Sequence, residues 1–354
     1  MGDVSQVEFE AMGRALELAR ASGVVKGPNP AVGAVLLDAD GSRIAEGYHR
    51  GPGTAHAEAA ALAEAGSAAL GATAVVTLEP CAHHGRTPPC ADALISAGVQ
   101  RVVFGAADGN PEATGGAARL LAAGIDVVGG VRAEEAEALN PIWTRSVELG
   151  RPVVTWKVAA SLDGRVAAAD GTSKWITSAE SRAQVHALRA DVDAVLTGTG
   201  TLLADDPSLT ARPDWSEPAD QPLRVVMGLT PIPPNAAIFG EPDGRARVLA
   251  TRDPGQALTS LGAEGVRHVL LECGPGLASA FLRADLVDRV VWFSAPMLLG
   301  GSGTPVVDDV GVATLADARR WRLGSVERVG DDTRTELHRE RDPQLIRDVR
   351  EDGG

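Results

Sequence analysis

Cysteine is scarce in this 354-residue chain, which holds three: Cys81, Cys90 and Cys273. A small, odd number excludes a disulfide framework and points to a reducing compartment, so each thiol needs its own explanation. Aromatic residues are also few, at 3% with a single tyrosine. A basic surplus is missing altogether, because 33 Lys plus Arg face 47 Asp plus Glu, for a net charge of −14. The deficit is shared, 10 against 17 over residues 1–145 and 23 against 30 over the rest, so neither half carries the positive field that nucleic-acid binding needs. No uncharged apolar run reaches the roughly 18–20 residues of a membrane span. The N-terminal MGDVSQVEFEAMGRALELARASG is amphipathic and acidic, unlike a secretory leader. These absences leave an expected cytoplasmic protein that takes a small molecule, with no nucleic acid and no membrane.

What is present supports a large core. Hydrophobic residues make up 44% of the chain, and its length suggests two domains. All six tryptophans lie at or after Trp143, a composition shift that marks a boundary. Before it, strand periods (31–37, 43–49, 73–79, 101–106, 125–131) alternate with helical ones (about 7–22, 56–65, 90–97, 115–123, 133–148), which implies an α/β sandwich. Gly150 and Pro152 then punctuate the chain, placing the boundary near 145–151. Strands at 153–160, 193–198, 223–228, 247–251, 268–272 and 289–295, helices at 178–190 and 277–284, and a hairpin near 322–338 predict a second α/β domain. Residues 205–222 and 230–246 read as loops, and no internal repeat is found. The domains expected are 1–148 and 149–340, with 341–354 a charged, disordered tail.

The chemistry-bearing stretch begins at AHAEAAALAEAG (55–66), where His56 and Glu58 head an alanine-rich helix. Alone, such a pair reads as a helix cap and a solvated carboxylate. Downstream, Cys81 follows a predicted strand and Cys90 opens a predicted helix. Zinc favours thiolate and imidazole ligands, and a catalytic site supplies three so that the fourth position holds water. His56, Cys81 and Cys90 make such a set, and Glu58 can carry the proton. The order H-x-E then P-C-…-C is the signature of zinc nucleobase deaminases, although that signature has two residues between the cysteines and this chain has eight. A structural zinc would take a fourth ligand, for which His83 and His84 are at hand. Cys273 reads as a small core residue.

PNPAVGAVL (28–36), GYHRGPGTAHAE (47–58) and LEPCAHHGRTPPCADALI (78–95) resemble the deaminase half of the bifunctional riboflavin-biosynthesis deaminase/reductase family, in which the eight-residue spacing is normal. The resemblance implies a cytidine deaminase-like α/β/α sandwich whose pyrimidine and ribose-phosphate pocket is lined by Asn29, His49, His83 and Arg86.

The second half lacks a Rossmann G-x-G-x-x-G fingerprint, so any nicotinamide site must be built differently. HVLLECGPGLASAFL (268–282) is a strand, a Gly-Pro-Gly turn and a helix start suited to phosphate, and VLTGTGTLLADDP (195–207) permits close backbone approach. KVAASLDGRVA (157–167), SKWITS (173–178), LTGTGTLLADDPSLTAR (196–212) and LLECGPGLA (270–278) resemble the reductase half of the same family. That implies a dihydrofolate reductase-like α/β domain using NADPH. By position, Ala159, Trp175, Thr201, Asp205, Gly274, Pro275, Gly276, Leu277, Ala278, Ser279 and Ala280 would frame the cofactor. Ser173, Arg189, Leu209, Arg212 and Glu272 would contact substrate. Arg189 and Arg212 can grip a ribose 5-phosphate, and Lys157 and Asp205 are candidates for polarising the opened sugar and supplying a proton. Gly276 stands where the pattern has a hydroxyl residue, and VVMG (225–228) lacks the acidic residue that often ends that strand. The expected enzyme holds Zn2+ and NADPH and assembles as a homo-oligomer. Its rivals are a nucleoside or RNA-editing deaminase with an accessory domain, and a second half that only senses nucleotide.

Overall fold

In the first ninety residues a helix is followed by strands whose side chains alternate between two buried faces. The computed structural model describes residues 3–24, 27–83, 88–110, 113–212, 221–240 and 245–339. The chain divides into two compact units, Met1–Gly150 and Arg151–Gly354.

In the first unit, α1 (Gln6–Ala21) starts with a capping box, in which the Ser5 hydroxyl accepts from the Glu8 N–H and the Glu8 carboxylate accepts from the Ser5 N–H. Strands β1 (Gly33–Leu37), β2 (Arg43–Tyr48), β3 (Thr73–Leu78), β4 (Arg101–Ala106) and β5 (Asp126–Gly129) form one sheet in the order β2-β1-β3-β4-β5. β1 runs antiparallel to both its neighbours, while β3, β4 and β5 are parallel. Successive strand side chains face opposite ways. Ala34 and Leu36 therefore enter the core beneath α2 (Ala57–Ala65), α3 (Cys90–Ser96) and α4 (Gly116–Ala122). Val35 and Leu37 enter the core beneath α1 and α5 (Ala133–Glu137). The result is the three-layer α/β/α sandwich expected from the sequence. Gly47 on β2 lets α2 close down, since a Cβ there would stand 2.2 Å from the Ala57 carbonyl oxygen.

One helix expected over 133–148 is two, α5 and α6 (Pro141–Leu149). Pro141 has no N–H for the helical ladder and its ring clashes with the preceding turn, so it serves as the first residue of a new helix.

The second unit carries β6 (Val153–Ser161), β7 (Arg165–Ala167), α7 (Ala179–Ala190), β8 (Ala194–Gly198), α8 (Thr199–Asp205), β9 (Leu223–Met227), β10 (Ala246–Leu249), α9 (Pro254–Ala263), β11 (His268–Leu271), α10 (Pro275–Arg283), β12 (Arg289–Ala295), β13 (Thr304–Pro305), β14 (Trp321–Val329) and β15 (Asp332–Arg339). Its main sheet has the order β10-β9-β8-β11-β6-β12-β15-β14. The first six strands in that order are parallel, and the expected hairpin β14–β15 adds antiparallel to β12. Trp156, Leu196, Leu271 and Phe281 pack on one face, and Val195, Val226, Leu270 and Ile238 on the other. Two helices were not expected. α8 follows β8 without a break, and α9 begins at Asp253, whose carboxylate accepts from the Gly255 and Gln256 N–H groups ahead of Pro254.

His268, at the start of β11, is buried with Nε2 2.8 Å from Thr155 Oγ1. Burial, with the Arg289 charge behind it, pushes its pKa down to about 3. An unfolded imidazole titrates near 6.5, so between about 6.5 and 3 the unfolded chain takes up a proton that the folded chain refuses. Stability is intact above that window and falls through it as pH drops. Denaturant unfolding should show the native chain losing about 1.4 kcal/mol per pH unit more than His268→Gln across the window. Equal slopes would contradict this account.

Candidate active sites

β2, β3, β4 and β5 run one way and β1 the other, so the ends of β2, β3 and β4 share an edge of the sheet with the start of β1. The segments leaving that edge carry Asn29, His49, His56, Glu58, Cys81 and Asp108. His56 is the residue before α2, and its side chain caps nothing. Its Nδ1 instead faces two sulfurs, 3.8 Å from Cys81 Sγ and 3.3 Å from Cys90 Sγ. The Cys90 N–H, opening α3, donates to Cys81 Sγ at 3.4 Å. All three donor atoms lie within 4.8 Å of one another. Tetrahedral zinc with Zn–S near 2.3 Å and Zn–N near 2.0–2.1 Å places its ligand atoms roughly 3.5–3.8 Å apart, so the set fits the ion. Among the described residues no fourth side chain joins this cluster.

Glu58 lies in the first turn of α2 and is buried. Burial raises its carboxyl above the usual range, and the nearby Cys81 sulfur adds to the effect. His49 is also buried, with its ring edge-on to that of His56 at 5.6 Å. Its Nδ1 is 3.1 Å from the Ala55 carbonyl and its Nε2 is 3.0 Å from Asn29 Nδ2. The pairing requires Nδ1–H to donate and Nε2 to accept, and burial lowers the pKa, so the ring is neutral. His83 stands half-buried with Nδ1 enclosed and without a hydrogen-bond partner among the described residues. Arg86, with His84, lies outside the described residues.

Three neighbours escaped the sequence reading. Asp108, just past β4, is buried, and burial followed by the charges of Glu79 and Cys81 pushes its pKa up to about 6. Asn140, the residue before α6, grips Ala31 at both ends: its Oδ1 accepts from the Ala31 N–H at 2.7 Å and its Nδ2 donates to the carbonyl at 2.9 Å. Trp143 Nε1 donates to the Pro28 carbonyl at 2.9 Å. Together Asn140 and Trp143 hold the 28–31 segment that presents Asn29. The Asn-Pro start of α6 was the available signal.

In the second unit the ends of the parallel strands open into a cleft of about 1390 Å3. Lys157, Ala159, Ser173, Trp175, Arg189, Thr201, Asp205, Leu209, Arg212, Glu272, Gly274, Pro275, Gly276, Leu277 and Ala280 all line it. Ala278 and Ser279, expected beside a cofactor, do not. Ala278 is enclosed in the apolar core, and the Ser279 hydroxyl accepts from the Asp308 N–H at 2.8 Å. Side chains on a helix turn around its axis, so Ala278 and Ser279 face away from the cleft while Ala280 and Arg283 return to it. The Thr201 hydroxyl accepts from the Gly274 N–H at 3.0 Å, tying α8 to the turn before α10.

Glu272 organises one wall. Its carboxylate accepts from Arg189 Nε at 2.6 Å and Nη2 at 2.9 Å, and Lys157 Nζ stands 2.9 Å away. Burial alone would raise its pKa, but the Arg189 and Lys157 charges hold it far below the ordinary carboxylate range. Lys157 is therefore not a cation in open water. Nor is Arg189 placed as a phosphate fork, because its remaining Nη1 donates to the Thr210 carbonyl at 3.1 Å. Arg182 lies over the exposed Trp175 ring, 4.4 Å from its centroid. Arg182, His186 and Arg189 recur at helical spacing on α7, and all face the cleft. That periodicity could have revealed the wall.

The first unit thus has the build of a zinc nucleobase deaminase, and the second presents a deep cleft at parallel strand ends of the kind that takes nucleotides. Comparison with known proteins agrees. Residues 5–106 match the cytidine and deoxycytidylate deaminase zinc-binding region, and residues 152–335 match the RibD C-terminal domain. The chain is 50% identical over 338 residues to the riboflavin biosynthesis protein RibD of Mycobacterium tuberculosis H37Rv, covering 93% of this chain and 97% of that protein. A solved RibD from Acinetobacter baumannii is 37% identical with a TM-score of 0.81, covering 94% of this chain and 99% of that one. A Thermotoga maritima structure, described as a diaminohydroxyphosphoribosylaminopyrimidine deaminase/5-amino-6-(5-phosphoribosylamino)uracil reductase, is 34% identical with a TM-score of 0.76, covering 94% of this chain and 99% of that one. The chain belongs to the RibD family of riboflavin biosynthesis proteins. It is a bifunctional enzyme with a deaminase domain and a reductase domain, which imply zinc and a nicotinamide cofactor. Among the described residues no helix is long and apolar enough to cross a membrane.

If Asn140 fixes the 28–31 segment, Asn140→Ala should raise the deaminase KM about tenfold, the factor carried by some 1.4 kcal/mol of lost hydrogen bonding, with zinc content unchanged. Steady-state ammonia release with metal analysis checks this, and an unaltered KM would free Asn140 of the role.

Proposed function

We propose that residues 1–148 deaminate 2,5-diamino-6-(5-phosphoribosylamino)pyrimidin-4(3H)-one to 5-amino-6-(5-phosphoribosylamino)uracil. Residues 149–340 then reduce the ribosyl group with NADPH, giving 5-amino-6-(5-phosphoribitylamino)uracil. The tail expected over 341–354 lies outside the described residues. The substrate reading is supported by the description of the Thermotoga maritima relative. The observation that carries the deaminase is the His56, Cys81 and Cys90 cluster with buried Glu58 beside it.

Zinc held by those three residues would keep one position for water and lower that water's pKa from 15.7 to about 7. Glu58 takes up the proton and passes it to the departing amino group, so the ring carbon gains oxygen and ammonia leaves. His49, neutral and tethered to Ala55, orients Asn29, whose amide oxygen then faces the pyrimidine. His83 and Arg86 are assigned to the ribose phosphate.

NADPH bound in the reductase cleft would supply hydride chemistry at the sugar's C1 carbon. The α10 start at Gly274–Leu277, with Ala159, Trp175, Thr201 and Ala280, frames the cofactor, since exposed helix-start N–H groups favour phosphate. Glu272 holds Lys157 at the wall where the sugar oxygen would lie. Asp205 is assigned the proton. Ser173 and Leu209 contact the substrate, and Arg212, which pairs with no carboxylate among the described residues, takes its phosphate in place of Arg189. The enzyme is proposed to work in the cytoplasm as a homo-oligomer.

Two substitutions separate the activities. Glu58→Gln should keep its zinc by metal analysis yet lose about 10²- to 10⁴-fold in ammonia release. Near-normal release would end the Glu58 assignment. Glu272→Gln should leave ammonia release intact and slow NADPH oxidation with the deaminated substrate about 10- to 100-fold, because a hydrogen bond to a charged group is worth about 1.5–3 kcal/mol. Oxidation at the native rate would remove Glu272 from the site, and no oxidation by the native chain would make the second unit a sensor.

A further inference from the structure

One buried imidazole facing the reductase cleft has no assigned part in the reduction. His186 lies on α7 one turn before Arg189, and both line the cleft. Burial, followed by the Arg189 charge, lowers the pKa of its ring, so the ring is neutral and carries a single N–H. Its Nδ1 stands 3.1 Å from the Thr210 carbonyl oxygen, which can only accept, so the proton is on Nδ1. Arg189 Nη1 donates to the same oxygen at 3.1 Å, while its Nε and Nη2 are fixed by Glu272. A carbonyl oxygen has two lone pairs, and two side chains of α7 occupy both.

The segment held in this way is under strain. Asp206 and Leu209, neither of them glycine, have φ of +43° and +56°. Residues with a Cβ rarely take that conformation, and it persists where the surroundings over-determine it. Asp206 Oδ1 accepts from the Ala237 N–H at 2.8 Å, and the Ser208 and Thr210 hydroxyls are 3.2 Å apart. The Gln221 amide grips Ala211 at both ends, its Oε1 accepting from the N–H at 2.8 Å and its Nε2 donating to the carbonyl at 2.9 Å. Thr210 and Ala211 are buried behind the cleft wall, whereas Leu209 before them and Arg212 after them line the cleft. The clamp thus grips the two residues that lie between a substrate contact and an exposed cation.

We propose that His186 is a positioning residue of the reductase: by pinning the Thr210 carbonyl it fixes the 208–212 strap, sets Arg212 at the substrate's 5-phosphate, and so makes the enzyme prefer phosphorylated over dephosphorylated substrate. Without His186 the carbonyl keeps Arg189 alone, Leu209 is free to leave its left-handed conformation, and the long Arg212 side chain loses its fixed base. This inference rests on the assignment of Arg212 to the phosphate.

The test uses the full-length chain and compares NADPH oxidation with the deaminated substrate and with its dephosphorylated counterpart. Asn and Leu are similar in shape, but only Asn places an N–H near the position of Nδ1. His186→Leu should raise KM for the phosphorylated substrate about five- to tenfold, the worth of one hydrogen bond, with kcat little changed. The preference in kcat/KM for the phosphorylated substrate should fall by the same factor. His186→Asn should restore most of both, and both variants should keep native ammonia release and native NADP+ binding followed by tryptophan fluorescence. Equal losses on the two substrates, a fall in kcat without a rise in KM, or NADP+ binding weakened in step with KM would make His186 merely structural and overturn the proposal. An Asn variant no better than the Leu variant overturns it too. Arg212→Gln separates the two readings. If it leaves the preference intact, the phosphate does not go to Arg212 and the proposal falls with that assignment; if it abolishes the preference while His186→Leu keeps it, only the role of His186 falls.

Discussion

A helix that follows a strand must begin at the strand's end, and its first N–H groups have no partner within the helix. Both units place their chemistry at that point. In the first, α2 and α3 start on the same edge of the sheet, which sets His56 and Cys90 face to face although 34 residues separate them. In the second, α10 starts at the end of β11, with Gly274 held by Thr201 from the start of α8. Because β1 runs against its neighbours, its start falls on the edge where β2 and β3 end, and Asn29 reaches His49. Chain direction therefore decides which side chains can meet.

The two sites handle buried charge differently. Thiolates beside an imidazole are tolerable in an apolar surround when a dication offsets them, and Cys81 and Cys90 sit in a small apolar cluster with Ala113. Glu272 has no metal. It is tolerated because Lys157 and Arg189 together supply three polar contacts within 3 Å. Removing water from ions is costly, and a single partner rarely repays it; two cations on one carboxylate leave a net positive wall suited to an electron-rich substrate.

The metal set was legible because zinc tolerates few residue types and spacings, so His56, Cys81 and Cys90 stood out before any fold was known. The layers were legible from apolar period alone. α9 and the break before α6 were written in Asp253-Pro254 and Asn140-Pro141 but need a rule that weighs proline as a starter as well as a breaker. The Glu272 clamp was not legible, since Arg189 lies 83 residues away and only the β8–β11 pairing brings α7 over it. The same applies to Asn140 on Ala31, at a separation of 109. The Ala278 and Ser279 expectation treated a run of residues as a unit, whereas a helix turns successive side chains to different sides.

Net charge of −14 excludes a polyanion as partner but says little about a cleft. The reductase cleft is lined by seven basic residues (Lys157, Lys174, Arg182, Arg189, Arg212, Arg252 and Arg283) against three acidic ones (Asp205, Asp206 and Glu272). A concave, partly apolar wall concentrates such a field, whereas the same charges spread on a convex face would be screened within about 8–10 Å. An acidic exterior then repels nucleic acid while the cleft still draws in small phosphates. Composition bounds the class of partner, and the placement of cations at strand ends selects the ligand.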